Sequence, residues 1–397
     1  MDTDLDERNV AARGGMAPSQ GMKSGSRARR HGVLDLRTLN RALLQRQLLL
    51  RREKRSVGDA LEHLVGLQAQ DPQQPYLGLW SRLDAFAPEE LSRSIADRQA
   101  VRIALMRSTI HLVTAADCLR LRPTLQPVLT RGLDASAAGP KLEGIDRGTL
   151  AAAGRALLEQ QPSTGAALGK LLQERWPDRD AEALAHAVRT HVPLVQVPPR
   201  GLWGKSGQAV HTTAEYWLGR PLAGGIPTDE LVVRYLRAFG PATARDIQTW
   251  SGLQALRPVL DGLRPRLRSM RDEDGDELFD VPDAPLPDPD TPAPPRFLPG
   301  WDNALLSHAD RRRIISDANR KEISRPNAVT PGTILVDGFV RGTWRIEKTR
   351  RDAILTITPL ERWRKQERDA VVEEGEGLLA LVGGEDRQRE VRLVGAP

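Results

Sequence analysis

Three features of the 397-residue chain predict an α+β fold made of three tandem helical units, each closed by a β-hairpin, and a β-rich C-terminal module. A helix-helix-helix-hairpin pattern recurs over 35–115, 147–218 and 228–283. A proline- and aspartate-rich stretch follows at 282–299. Beyond it, ILVDGFVRGTWRIE, AILTITPL and EVRLV alternate with the period of a strand.

The elements are justified in chain order. Residues 1–31 are rich in Gly, Ser and Arg, poor in apolar groups, and end in Arg27, Arg29, Arg30 and His31, which predicts a disordered basic tail. The first unit, 32–117, opens with an apolar-periodic stretch from Leu36 to Leu50. A second helix is announced by Ser56 as N-cap with Asp59 three residues on, and Val57, Leu61, Leu64 and Val65 recur at helical spacing. Pro72 disfavours the α region at Asp71, so this helix is expected to stop at about Gln70. A helix opening near Pro88, Glu89 and Glu90 and a strand pair through Val101 to Val113 complete the unit.

The second unit, 118–218, predicts helices ending near Glu159, Arg175 and Thr190, then strands around 194–197 and 209–213 that flank a Gly-rich tip. The third, 219–283, predicts a helix over 229–239, one capped by Thr243 with Asp246, and one opening at Ser251. Its hairpin turns at Asp274-Gly275. Three helices and a hairpin form the winged-helix arrangement, whose third helix can enter a DNA major groove. Residues 284–299 read as an extended, semi-rigid spacer. Residues 300–397 read as mostly strand with one charged helix around 361–375.

Composition narrows the function classes. Hydrophobic content is 40%, charged content 28% and net charge +6, with a pI near 9.7 and a mean hydropathy of −0.43. These values suit a globular chain with a modest affinity for polyanions. The single cysteine, Cys118, excludes an internal disulfide framework and a CxxC zinc site, and the seven histidines are scattered, so neither metal nor cofactor is expected. No apolar run reaches membrane-spanning length and no signal core opens the chain, so the cytoplasm, with the nucleoid, is the expected compartment.

The most informative string is GLQAQDPQQPY, Gly66 to Tyr76. Two glutamines two apart do not face each other on a regular helix, but in an extended exit they point the same way. Gln68 and Gln70 therefore converge as uncharged amides beside a turn. Farther on, SHADRRRII packs Arg311, Arg312 and Arg313 behind His308 and Asp310. With the hairpin through Trp344 and Arg345, this segment reads either as a phosphate-gripping patch or as a solvated charge run.

GLQAQDPQQPYLGLWSRL, RSTIHLVTAADC, AEYWLG, PGWDNALLSHADRRRI and ILVDGFVRGTWR occur in that order and cover roughly 33–395. Together they resemble the bacterial AlkZ-like winged-helix DNA glycosylases, which unhook bulky alkyl adducts and interstrand crosslinks. The resemblance implies three tandem winged helices and a β-rich part forming a C-shaped DNA clamp. It also implies that Gln68 and Gln70 are the catalytic Gln-x-Gln pair. Thr109 and His111 resemble family motif positions and read as structural before catalytic, and Asp71, the carboxylate beside the glutamines, reads as a turn residue whose charge could help an oxocarbenium ion. The Pro/Asp linker and the basic tail depart from the family pattern. Double-stranded DNA carrying alkylated or crosslinked purines is the implied partner, met by a monomer.

The chemistry suits neutral amides. A purine alkylated at N7 is cationic, leaves as a neutral base and needs no proton from the protein. What remains is to stabilise an oxocarbenium-like sugar and to place a water. A glutamine can do either through its oxygen or its NH2, although it cannot titrate. The alternative from another class is a non-catalytic winged-helix regulator.

Overall fold

The structure is a computed structural model that describes residues 33–324, 331–384 and 387–395; the expected tail, 1–31, lies outside them. Helices and strands mix throughout, as α+β. The antiparallel hairpin expected in each helical unit is present: Ala100–Ala104 with Ile110–Thr114, Leu194–Gln196 with Val210–Thr213, and Arg268–Asp272 with Glu277–Asp280. The first two do not stand apart. Arg102 pairs with Gln196 and Ile103 with Val195, which fuses them into one six-stranded sheet.

The helix carrying the Ser56 cap stops much earlier than expected. It spans Val57–His63, with Ser56 Oγ accepting from the Asp59 N–H at 3.1 Å. Pro72 does not end it. The break comes at Val65 and Gly66, whose φ values are 53° and 85°. A Cβ on Gly66 would lie 2.6 Å from Val113 Cγ1 and 2.9 Å from the Leu112 carbonyl oxygen, so only glycine lets the chain pass this close to the neighbouring strand. Beyond it, Leu67–Gln68 is a two-residue strand paired with Leu112 and His111.

Other differences from the sequence reading share one cause, which is tertiary contact. A helix over Gln74–Trp80, with Pro75 in its first turn, follows the glutamines. Helices Ala115–Thr124 and Gln126–Asp134 precede the second helical set. The first helix, Leu36–Arg46, is shorter than expected and packs on the third set. Arg46 donates to the Leu236 carbonyl at 2.8 Å and pairs with buried Asp280 at 2.6 Å, and Gln47 donates to the Ala238 carbonyl at 2.7 Å. Just before it, Val33–Leu34 adds a parallel strand to the third hairpin.

The proline-rich segment is strapped down rather than free. Arg37, Arg41 and Arg46 donate to the carbonyls of Pro289, Thr291 and Pro285. Its end, Arg296–Leu298, is a buried strand that opens the C-terminal sheet. That sheet runs 296–298, 332–336, 339–348, 352–359, 388–393. The last two strands are parallel, and the crossover such a pair requires is the helix Lys365–Gly383. Val371, Leu378 and Leu379 of this helix share a core with Phe297, Leu355 and Ile357. The largest core joins the first hairpin, the third helical set and Leu298–Ile323. The site described next lies where these three meet.

Candidate active site

The sequence GLQAQDPQQPY commits its four glutamines to three other parts of the chain. Gln68 accepts from Arg107 Nη2 at 2.7 Å, at the tip of the first hairpin. Gln70 accepts from the Ile110 N–H at 2.9 Å. Gln73 donates to the Leu202 carbonyl and accepts from the Gly204 N–H, both at 3.0 Å, which docks the tip of the second hairpin. Gln74 accepts from the Gly300 N–H at 2.9 Å, at the start of the C-terminal part.

Gln68 lies directly across from His111, and the Ala69 N–H donates to the Ile110 carbonyl at 2.7 Å. The paired strand ends at Gln68, and Gln70 lies at the bend that follows; the two amides are tied to the same hairpin, Gln68 at its tip and Gln70 at the start of its second strand. The orientation of each amide follows from its partner. A guanidinium and a backbone N–H can only donate, so both side chains must turn Oε1 toward them. Both NH2 groups are left without a partner among the described residues, and that of Gln68 stays open to solvent although the residue is only 7% exposed.

Arg107 is the central group that sequence reading missed. Besides Gln68 it donates to the Trp250 carbonyl at 2.8 Å and to Asn303 Oδ1 at 3.0 Å. Burial, with Arg311 next, pushes its pKa down to about 10. His111 is fully buried. Its Nδ1 meets the Thr109 carbonyl at 3.0 Å, while burial and then Arg107 push it down to about 3. It is a neutral imidazole at pH 7 and cannot deliver a proton. Thr109 Oγ1 donates to the Met106 carbonyl at 3.0 Å and steadies the turn. Asp71 is exposed and accepts from the Gln73 N–H at 2.8 Å, an Asx-type turn that leads into the next helix.

The comparisons with known proteins bear on this geometry. The family model described as DNA glycosylase AlkZ-like matches residues 61–381, most of the chain and all of the site. The chain belongs to the AlkZ-like DNA glycosylase family. Among solved structures, the Streptomyces sahachiroi DNA glycosylase AlkZ is similar in fold, with a TM-score of 0.73 at 21% identity. The match covers 91% of this chain and 100% of that one. No curated protein sequence matches.

In this AlkZ-like chain the expected phosphate patch separates into unlike parts. His308 is 1% exposed, its Nε2 3.1 Å from the Phe239 carbonyl, and burial pushes it down to about 3. Arg313 is 4% exposed and donates to the Pro241 carbonyl at 2.7 Å. Trp344 is buried in the C-terminal core and donates to the Leu298 carbonyl at 2.9 Å. All three are buried and bonded to backbone carbonyls, so none of them presents a free surface group to a phosphate as the sequence reading expected. The pattern hid this because long polar side chains satisfied by distant carbonyls look like a surface run. Arg312 is surface-exposed but already paired with Asp310 and Asp274. Arg345 is exposed beside Glu347 at 3.2 Å. Arg311 alone of the three arginines has no side-chain partner among the described residues. It is half-buried, and its charge reaches Arg107.

The described residues contain no group of His, Cys, Asp and Glu that could hold a metal ion, and no helix among them is long and apolar enough to cross a membrane.

Proposed function

We propose that this protein is a monofunctional DNA glycosylase that hydrolyses the N-glycosidic bond of N7-alkylated purines in double-stranded DNA. Bulky adducts and interstrand crosslinks are included, and the product is an abasic site. The observation that carries the proposal is that donors on the first hairpin take up Oε1 of both Gln68 and Gln70, which leaves both amide NH2 groups without a partner among the described residues. Each NH2 can donate to one lone pair of a water and leave the other free to attack the sugar carbon as its bond to the neutral leaving base breaks, with the proton released from that water passing to bulk solvent. One preorganised polar group of this kind is typically worth on the order of 10²–10³ in rate. With no acid to protonate the base, the site fits a leaving group that is already cationic.

The three helical sets with their hairpins are read as winged helices within 32–117, 118–218 and 219–283. Together with the module from 300 they would grip DNA as a C-shaped clamp open enough for adducts too bulky to be flipped into a closed pocket. Arg311 and Arg345 are the proposed phosphate contacts, and the protein acts as a monomer in the cytoplasm, at the nucleoid. Its role is DNA repair or protection of a producer against its own genotoxic product.

The test is to incubate purified protein with a duplex carrying N7-methylguanine and measure both free base and alkali-labile sites. Equal yields of the two are expected. Binding without base release would favour the winged-helix regulator.

A further inference from the structure

The first hairpin turns through Arg107 and Ser108, whose φ values are 56° and 59°. Two successive left-handed residues normally favour Asn or Gly. A long cation placed there against its backbone preference invites a functional explanation. The tip does not reach into solvent. Ser108 Oγ donates to the Val128 carbonyl at 3.3 Å, and a Cβ on Gly252 would lie 3.5 Å from the Arg107 backbone nitrogen, so the turn is wedged between two helical segments.

The guanidinium has no carboxylate partner among the described residues, and its three hydrogen bonds all go to neutral oxygens. A buried cation served only by neutral acceptors is costly to the fold. What it achieves is orientation. Asn303 is fixed by the same logic, because Oδ1 faces Arg107 while Nδ2 donates to the Gly66 carbonyl at 3.3 Å. Trp250 and Asn303 thus anchor Arg107 from two sides, and its remaining bond is spent on Gln68. We infer that Arg107 is a positioning residue for base excision, locking the Gln68 amide with its oxygen inward and its NH2 toward the substrate. Without it the amide can rotate by a half-turn and present oxygen instead.

The inference rests on the excision role proposed for Gln68, and the experiment separates the two. Single-turnover release of N7-methylguanine at saturating protein, DNA affinity and thermal melting are measured for Arg107→Met, Arg107→Lys, Gln68→Ala, Gln68→Glu and the double variant Arg107→Met with Gln68→Ala. Arg107→Met keeps the aliphatic stem and removes the donors. It is expected to slow release by roughly 10–10²-fold, with affinity within about threefold, or about 0.7 kcal/mol. Arg107→Lys, which can still donate to Oε1, should recover part of the rate.

In the Gln68→Ala background, Arg107→Met should slow release no further, because residues acting as a unit are not additive. Multiplied losses in the double variant, or a parental rate for Arg107→Met, would overturn the inference. Gln68→Glu decides the case even if Arg107→Met fails to fold. It preserves an acceptor for Arg107 but abolishes the outward NH2, so it should be as slow as Gln68→Ala. A near-parental rate for Gln68→Glu would overturn the orientation claim. A parental rate for Gln68→Ala itself would instead sink the catalytic reading on which the inference stands.

Discussion

At Gln68 and Gln70, two uncharged side chains are given a fixed direction by groups that can only donate, Arg107 and the Ile110 N–H. Fixed direction is what distinguishes a preorganised dipole from a solvated amide. The ionisable groups around them sit far from neutrality. His111 is pushed down to about 3 by burial and Arg107, and Arg107 is pushed down only to about 10, so neither changes charge between pH 6 and 8.5. Excision needs no proton from either. Single-turnover release at saturating protein should therefore stay constant within about twofold from pH 6 to 8.5. A bell, or a slope approaching tenfold per pH unit, would mean that a titrating acid or base does the work. That the helix must end by the glutamines if both serve one site was legible in the sequence, because residues two apart do not face each other on a regular helix. Arg107 was not, because nothing in MRSTIH says which of its side chains folds inward.

The elements around the site are tied by buried ion pairs rather than by propensity. Arg82, just after the helix Gln74–Trp80, meets Asp302 at 2.8 Å with both side chains at most 1% exposed, and Asp302 also caps the Ala304 N–H at 2.9 Å. Removing one member of such a pair strands a buried charge, so Arg82→Met should destabilise by about 3–5 kcal/mol. Arg312→Met, at the surface, should change stability by less than about 1 kcal/mol. Urea unfolding of both variants checks this, and equal effects would mean that the buried pair is no anchor. Local signals predicted the caps well. Ser56 and the Thr243–Asp246 capping box are both formed. The helix stop at Gly66, the strapping of the linker by Arg37, Arg41 and Arg46, and the fusion of two hairpins into one sheet all depend on partners far away in the chain. No window of neighbouring residues carries that information.

Across the whole molecule, the proposal assigns affinity for DNA and chemistry on the base to different residues. Affinity follows the number of phosphates neutralised, and log K falls with log salt by roughly 0.9 per contact. Of the arginine run, Arg311 is the half-buried member without a partner among the described residues, whereas Arg312 is paired and Arg313 is buried. Arg311→Ala should therefore flatten the salt slope by about one contact, while Arg312→Ala leaves it nearly unchanged. Indistinguishable slopes for the two would show that Arg311 meets no phosphate. The proposed chemistry rests on the glutamines, which carry no charge to grip a backbone. The decisive measurement is single-turnover release of N7-methylguanine alongside DNA affinity for Gln68→Ala and Gln70→Ala. Each should lose around 10²-fold or more in rate while affinity stays within about tenfold, or 1.4 kcal/mol. Parental release rates in both alanine variants would contradict the assignment of excision to this pair.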